Sequence, residues 1–178
     1  MRDRLPDTID TAFLQAAGKA TWREYRGGLS IVGMQRLAES LQDTEVPELQ
    51  VSLKLGRDAG GVRCLEGTVQ GVLHLTCQRC LGQMAFPVEH AFRLALVHSE
   101  AEAERLAEGY DPLLLADDRL VVREVVEDEL LLALPDFPLH APGDAVCVLP
   151  EYRKDEPVET TDDKPNPFAA LASLKRSH

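Results

Sequence analysis

Cys77-Gln78-Arg79-Cys80 sets two thiols three positions apart, a spacing that lets one tight turn aim both sulfurs at a single ion. Thiolates favour zinc, and a structural zinc takes four ligands. The candidates for the other two are Cys64, Cys147, His74, His90, His98 and His140. Cys77, Cys80, His140 and Cys147 make a chemically sensible quartet, although 59 residues separate Cys80 from His140 and six separate His140 from Cys147. Two other readings of the pair stay open. Plain structural thiols need no ion. A redox pair normally follows a strand and opens a helix in a βαβ unit. Here the pair is expected between two strands, with no helix behind it to lower a thiolate pKa. The cofactor expectation is therefore either none or a structural zinc.

Few other residues offer chemistry. Arg79, between the cysteines, could meet a phosphate or a carboxylate. Glu129 falls on the apolar face of an expected helix, where a carboxyl needs a partner, and an arginine such as Arg93 or Arg63 is the expected one. No nucleophile elbow, phosphate loop or dinucleotide fingerprint occurs, so no catalytic residue is expected and the chain is read as no enzyme. With nine aromatic residues in all, no set of base-stacking rings marks an RNA module. Direct RNA contact would fall to Arg23, Arg26, Arg79 and Arg93.

Several elements must position these groups. Residues 9–17 read as a short helix stopped by Gly18, residues 21–26 as a strand broken by Gly27-Gly28, and Ser30 as the cap of a helix through Leu41. Residues 49–55 and 62–76 alternate apolar with polar side chains, and 84–97 read as another strand with Pro87 disturbing its start; with short turns between them this is the pattern of an antiparallel meander. A change of apolar parity near Gly67 or Gly71 predicts a bulge. A helix is expected over 100–108, and the strongest one over 119–134, stopped by Pro135. On that helix Val122, Val125, Val126, Leu130, Leu132 and Ala133 share a face, with Arg123, Glu124, Glu127 and Asp128 opposite. The fold class is α+β: an antiparallel sheet with packed helices, a disordered acidic arm and a short C-terminal helix.

The composition sets bounds. At 178 residues and 44% apolar content the chain can build a core without staples, and four cysteines are too few for a disulfide scaffold. Its longest plainly apolar run, Leu130–Leu134, is far short of a membrane span, and no apolar run follows the first residues as in a secretory signal. A cytoplasmic protein with reduced thiols is expected, without a membrane role. The net charge of −11 argues against a simple basic nucleic-acid binder. Residues 1–99 carry eleven acids and eleven bases, residues 100–163 carry nineteen acids and five bases, and residues 164–178 carry three bases only. Such asymmetry points to partner recognition by one segment. The expected organisation is an α+β domain over 1–148, a disordered acidic linker over 149–165 and a helical docking motif over 166–178. In that motif Asn166 caps, Pro167 opens the helix, Phe168, Leu171 and Leu174 line one side, and Lys175 closes it. Tethered in this way, it is built to lie in a partner's groove.

Three stretches resemble the bacterial YceD family of large ribosomal RNA subunit accumulation proteins: Cys77 to Cys80, Val126-Glu127-Asp128-Glu129-Leu130-Leu131-Leu132-Ala133-Leu134-Pro135, and Lys164 to Lys175. The resemblance runs the length of the chain in the same order. It implies a role in ribosome biogenesis, in the synthesis, processing or accumulation of large-subunit (23S) ribosomal RNA, with no enzymatic activity. It also implies a ribosomal protein or RNA-processing factor as partner, with ribosomal RNA reached directly or indirectly. More distant members look as if they carry a second cysteine pair after the Leu-Pro motif, completing a four-cysteine set. This chain departs there, with His140 and Cys147 in the corresponding region. Two competing functions are a thiol- or metal-dependent RNA-processing enzyme and a chaperone of a basic ribosomal protein.

Overall fold

The computed structural model describes residues 5–15, 22–43 and 48–148. The chain divides at residue 148 into Met1–Val148 and Leu149–His178. The expected linker and docking motif, with Asn166, Pro167, Phe168, Leu171, Leu174 and Lys175, lie outside the described residues.

A short strand, β1 (Thr8–Asp10), leads into a 3-10 turn over Ala12–Gln15. Then come β2 (Arg23–Leu29), helix α1 (Gln35–Ser40), β3 (Leu49–Arg57), β4 (Arg63–Thr76) and β5 (Gln83–Val97). Helix α2 (Glu100–Ala103), β6 (Asp111–Leu114), β7 (Arg119–Val121) and helix α3 (Val122–Ala133) complete the order. Strands β2-β3-β4-β5-β6 make one sheet and β1-β7 a second. This is an α+β fold. Among the described residues no helix is long and apolar enough to cross a membrane.

The meander is antiparallel from β2 to β5, as alternation and short turns require. β6 departs from the all-antiparallel expectation and pairs in parallel with β5, from Leu94↔Asp111 to Val97↔Leu114. A parallel return needs a crossover, which the segment carrying α2 supplies. The bulge expected near Gly67 or Gly71 does not form. β4 and β5 pair in one unbroken register from Cys64↔Ala95 to Thr76↔Gln83. Both glycines sit on the inward parity of β4 with Leu65, Val69, Leu73 and Leu75, and space explains them. A Cβ on Gly67 would overlap the Phe92 ring, and one on Gly71 the Leu49 side chain. The neighbours occupy the missing volume, so the apolar set never changes face.

That face is the core. Leu49, Val51, Leu53 and Leu55 of β3, Leu65, Val69 and Leu73 of β4, and Val88, Leu94 and Leu96 of β5 are buried with Leu37 of α1 and Val122, Val126 and Leu130 of α3. The helices are shorter than expected. Residues 119–121, read as the first turn of α3, pair as β7 with β1, a long-range contact that overrides helical pattern. The expected helix at 9–17 is likewise β1 and a 3-10 turn as far as Gln15. β2 continues through Gly27-Gly28 because its pairing with β3 runs on to Leu29↔Leu49. Ser30 caps no helix; α1 starts after Met34. Ser99 does cap α2, accepting the Glu102 N–H at 3.2 Å, but the helix ends after Ala103.

Glu127 reverses its expected side. It is only 6% exposed, because α1 crosses that flank of α3. One carboxylate oxygen accepts the Leu37 backbone N–H at 3.1 Å, and the other meets Arg36 at 3.1 Å; Arg36 also bonds Asp128. Leu132, expected in the apolar face, is exposed. Burial pushes the Glu127 carboxyl up, but the Leu37 N–H and the Arg36 guanidinium outweigh it and hold the group below the ordinary value.

Two outcomes follow. Glu127→Ala orphans the Leu37 N–H and removes the Arg36 partner, so urea unfolding should show a loss of about 2 kcal/mol. The folded pKa lies below the unfolded one, so this stabilisation is present above about pH 4.3 and disappears as pH falls through the folded value. The acid limb of the stability profile should therefore flatten in Glu127→Gln. Gly67→Ala should cost about 1–3 kcal/mol, because the Phe92 ring must leave its place in a packed core.

Candidate metal centre

The β4–β5 turn is tight. The Cys77 N–H donates to the Gly82 carbonyl at 2.9 Å, and the Leu81 N–H to the Cys77 carbonyl at 2.8 Å. Leu81 takes a φ of 60°, a left-handed conformation more usual for glycine, and this bends the chain so that both cysteines face one side. Past α3, the Pro138 carbonyl accepts the Gln78 N–H at 2.9 Å, which lays the following segment against the turn. Two further turns bring the chain back. The Asp144 N–H donates to the Ala141 carbonyl at 3.2 Å, the Cys147 N–H to the Asp144 carbonyl at 3.0 Å, and Gly143 sits at a φ of 83°.

The result is a cluster. One ligand atom from each of Cys77, Cys80, His140 and Cys147 lies within 4.8 Å of every other. The Cys80 sulfur is 3.5 Å from His140 Nδ1. His140 Nε2 lies 3.1 Å from the Gln83 carbonyl, an acceptor only. That oxygen selects the Nε2–H tautomer, which leaves the Nδ1 lone pair facing the sulfurs. Arg79 bridges the halves: Nε donates to the Cys147 sulfur at 3.1 Å and an Nη to the His140 carbonyl at 3.0 Å. Cys77 and His140 are buried, Cys80 and Cys147 half-buried, and Leu75, Met84, Leu41, Phe86 and Leu134 pack alongside.

Burial pushes the Cys77 thiol up, but the backbone N–H groups of Cys80, His140 and Arg79 pull it down to about 5. The Gly82 N–H pulls the Cys80 thiol down, while burial and the Cys77 and Cys147 sulfurs push it up, with a net rise. One thiolate therefore forms readily at the expense of its neighbour. Cys147 raises the Arg79 pKa further above its ordinary value. Three sulfurs and an imidazole nitrogen are the donor types that hold a soft or borderline metal.

The remaining candidates lie elsewhere. Cys64 faces the opposite side of β4, 3.8 Å from the Asp58 carboxylate and 3.9 Å from Arg93. His74 is 3.6 Å from Asp43, and His98 is 3.4 Å from Asp118. His90 Nε2 is 2.9 Å from buried Glu129, which corrects the expected arginine partner. Arg63 instead pairs with Glu102 at 2.6 Å and Arg93 with Asp58 at 2.9 Å. Of the four arginines considered for RNA contact, Arg23 stacks on Phe13 and exposed Arg26 meets Glu24, both on the edge strand β2. Arg79 and Arg93 are committed to the cysteine cluster and to Asp58. Sequence reasoning missed Glu127 and Arg36, and also the bond of 2.5 Å from the Tyr110 hydroxyl to Asp58. An acid four residues before the half-buried Leu131 gave no signal, because the burying element comes from residues 35–40.

Comparison with known proteins adds to this geometry. The family model described as large ribosomal RNA subunit accumulation protein YceD matches residues 65–175. The Large ribosomal RNA subunit accumulation protein YceD of Haemophilus influenzae is 32% identical over 154 residues, covering 86% of this chain and 88% of that protein. No solved structure matches. The matched region takes in the β4–β5 turn, all of α3 and the His140–Cys147 segment, and the chain belongs to the YceD family of large ribosomal RNA subunit accumulation proteins.

Proposed function

We propose that this protein is a non-enzymatic factor that supports the accumulation of large-subunit ribosomal RNA by holding a basic protein partner, a ribosomal protein or a processing factor. The observation that carries this reading is the division of charge. Residues 100–163 hold nineteen acids against five bases, beside a balanced first half. Unscreened within a Debye length of about 8 Å, that segment repels RNA phosphates and attracts a basic polypeptide. Residues 166–178 add an apolar row, Phe168, Leu171 and Leu174, of the kind that fits a groove.

The side chains of the described region support a scaffold role. The buried acids Glu127 and Glu129 hold Leu37 with Arg36 and His90 respectively, and Asp58 gathers Tyr110 and Arg93. These groups are occupied in joining elements of the fold.

Affinity capture from cells tests the proposal, using full-length protein and the full-length triple variant Phe168→Ala/Leu171→Ala/Leu174→Ala. A protein partner should survive nuclease treatment, elute with salt, and bind the variant about five- to thirtyfold more weakly, as loss of anchoring side chains implies at about 1–2 kcal/mol in total. Capture abolished by nuclease would show that RNA is the contact. Cleavage of precursor transcripts by the purified protein would show an enzyme.

A further inference from the structure

We propose that Cys77, Cys80, His140 and Cys147 bind one structural zinc ion, which clasps the segment over residues 135–148 to the β4–β5 turn.

The geometry already fits the ion. In a tetrahedral zinc site with Zn–S near 2.3 Å and Zn–N near 2.0–2.1 Å, sulfurs stand about 3.8 Å apart and sulfur and nitrogen about 3.5–3.6 Å apart. The Cys80 sulfur and His140 Nδ1 are 3.5 Å apart, and all four donors lie within 4.8 Å of one another. Small side-chain shifts close the tetrahedron. The Gln83 carbonyl holds the imidazole as the tautomer that can donate its Nδ1 lone pair, the outer-shell arrangement common to metal-bound histidines. Oxygen-seeking ions such as magnesium and calcium have no reason to enter a set of three sulfurs and a nitrogen. Four protein ligands leave no open position, so the ion is structural, not catalytic.

The charge also fits. Three thiolates and Zn²⁺ sum to −1, and Arg79, bonded to the Cys147 sulfur at 3.1 Å, brings the cluster to neutrality.

The segment itself explains the need. Residues 135–148 form no helix or strand, and Phe137, Val146 and Val148 are 73%, 69% and 72% exposed. So little apolar burial leaves it held by a few hydrogen bonds, among them Gln78 N–H to Pro138 and Arg79 to His140. An ion that binds only the assembled quartet adds its binding energy to that of folding. Cys147 lies two residues before Leu149, so the clasp fixes the chain where the 149–178 segment begins.

Metal analysis of the full-length protein, made with zinc in the medium and desalted under reducing conditions, should find one zinc per chain. Cobalt(II) added to the chelator-stripped protein should give thiolate charge-transfer bands and strong tetrahedral d–d absorption. Cys80→Ser and Cys147→Ser should each bind zinc about a hundredfold more weakly or worse, and Arg79→Met about tenfold more weakly. Cys64→Ser should keep full binding. His140→Cys, which preserves a four-ligand set, should keep zinc and shift the cobalt spectrum, so a failure of the serine variants to fold does not decide the matter. Chelated protein should gain protease cuts within residues 136–148 that zinc suppresses. The proposal is overturned if the supplemented wild type carries no zinc and takes up no cobalt, if Cys147→Ser binds as tightly as wild type, or if Cys64→Ser loses the ion.

Discussion

The unbroken pairing of β4 with β5 is the constraint on which the described domain rests. Thirteen residue pairs align in one register, from Cys64↔Ala95 to Thr76↔Gln83. A slip of one residue would send every inward side chain of one strand to the other face. His90 would leave Glu129, Phe92 would leave the space above Gly67, and Leu94 and Leu96 would leave the core. The same register ends one residue before Cys77. Core packing thus decides where the turn falls, and the turn decides where the two thiols point. Gly67 and Gly71 serve this register by making room for neighbours, not by bending the strand.

The second determinant is the way α3 is held. Within the stretch Val126 to Pro135, Val126 and Leu130 enter the core, Glu127 and Asp128 hold α1 through Arg36, and Glu129 holds β5 through His90. Pro135 follows Leu134, whose N–H donates to the Leu130 carbonyl at 3.2 Å, and stops the helix. Three consecutive acids on a helix invite a reading as a charged patch or a catalytic set. Each instead ties α3 to a basic partner on another element, and two of the three do so while buried. This stretch, one of the three that resemble the family, acts mainly as a packing device.

Much of this was legible in the chain. Strict alternation over 49–55 marks a half-buried strand, 84–97 reads as another, and short turns between the strands leave antiparallel pairing as the simple solution. Cysteine and histidine types alone made Cys77, Cys80, His140 and Cys147 a candidate set. The failures share a cause: a long-range partner overrode a local pattern. Residues 119–121 carry a helical period but meet β1, more than a hundred residues earlier. Glu127 lies opposite the apolar stripe, yet α1 covers it. The parallel seat of β6 depends on where a crossover lands, which periodicity does not report. Residues 166–175 could be read only as a pattern, since they lie outside the described residues.

The second half of the cysteine cluster shows why spacing motifs are an imperfect guide to metal sites. A Cys-x-x-Cys pair is recognisable because one turn presents both sulfurs, and sequence then reports geometry directly. His140 and Cys147 are six intervening residues apart, and no single turn spans them. Two turns in succession do, one bonded from Asp144 back to Ala141 and the next from Cys147 back to Asp144, with Gly143 supplying the left-handed φ within the first. The Asp144 side chain strengthens the second turn by accepting the Val146 N–H at 3.0 Å. Convergence of donors is therefore a property of backbone hydrogen bonding, and ligand spacing is its visible trace only when the turn is short. A chain that lacks a second cysteine pair can still bring four donors together, because a longer path with the right turns delivers an imidazole nitrogen and a sulfur to the first pair.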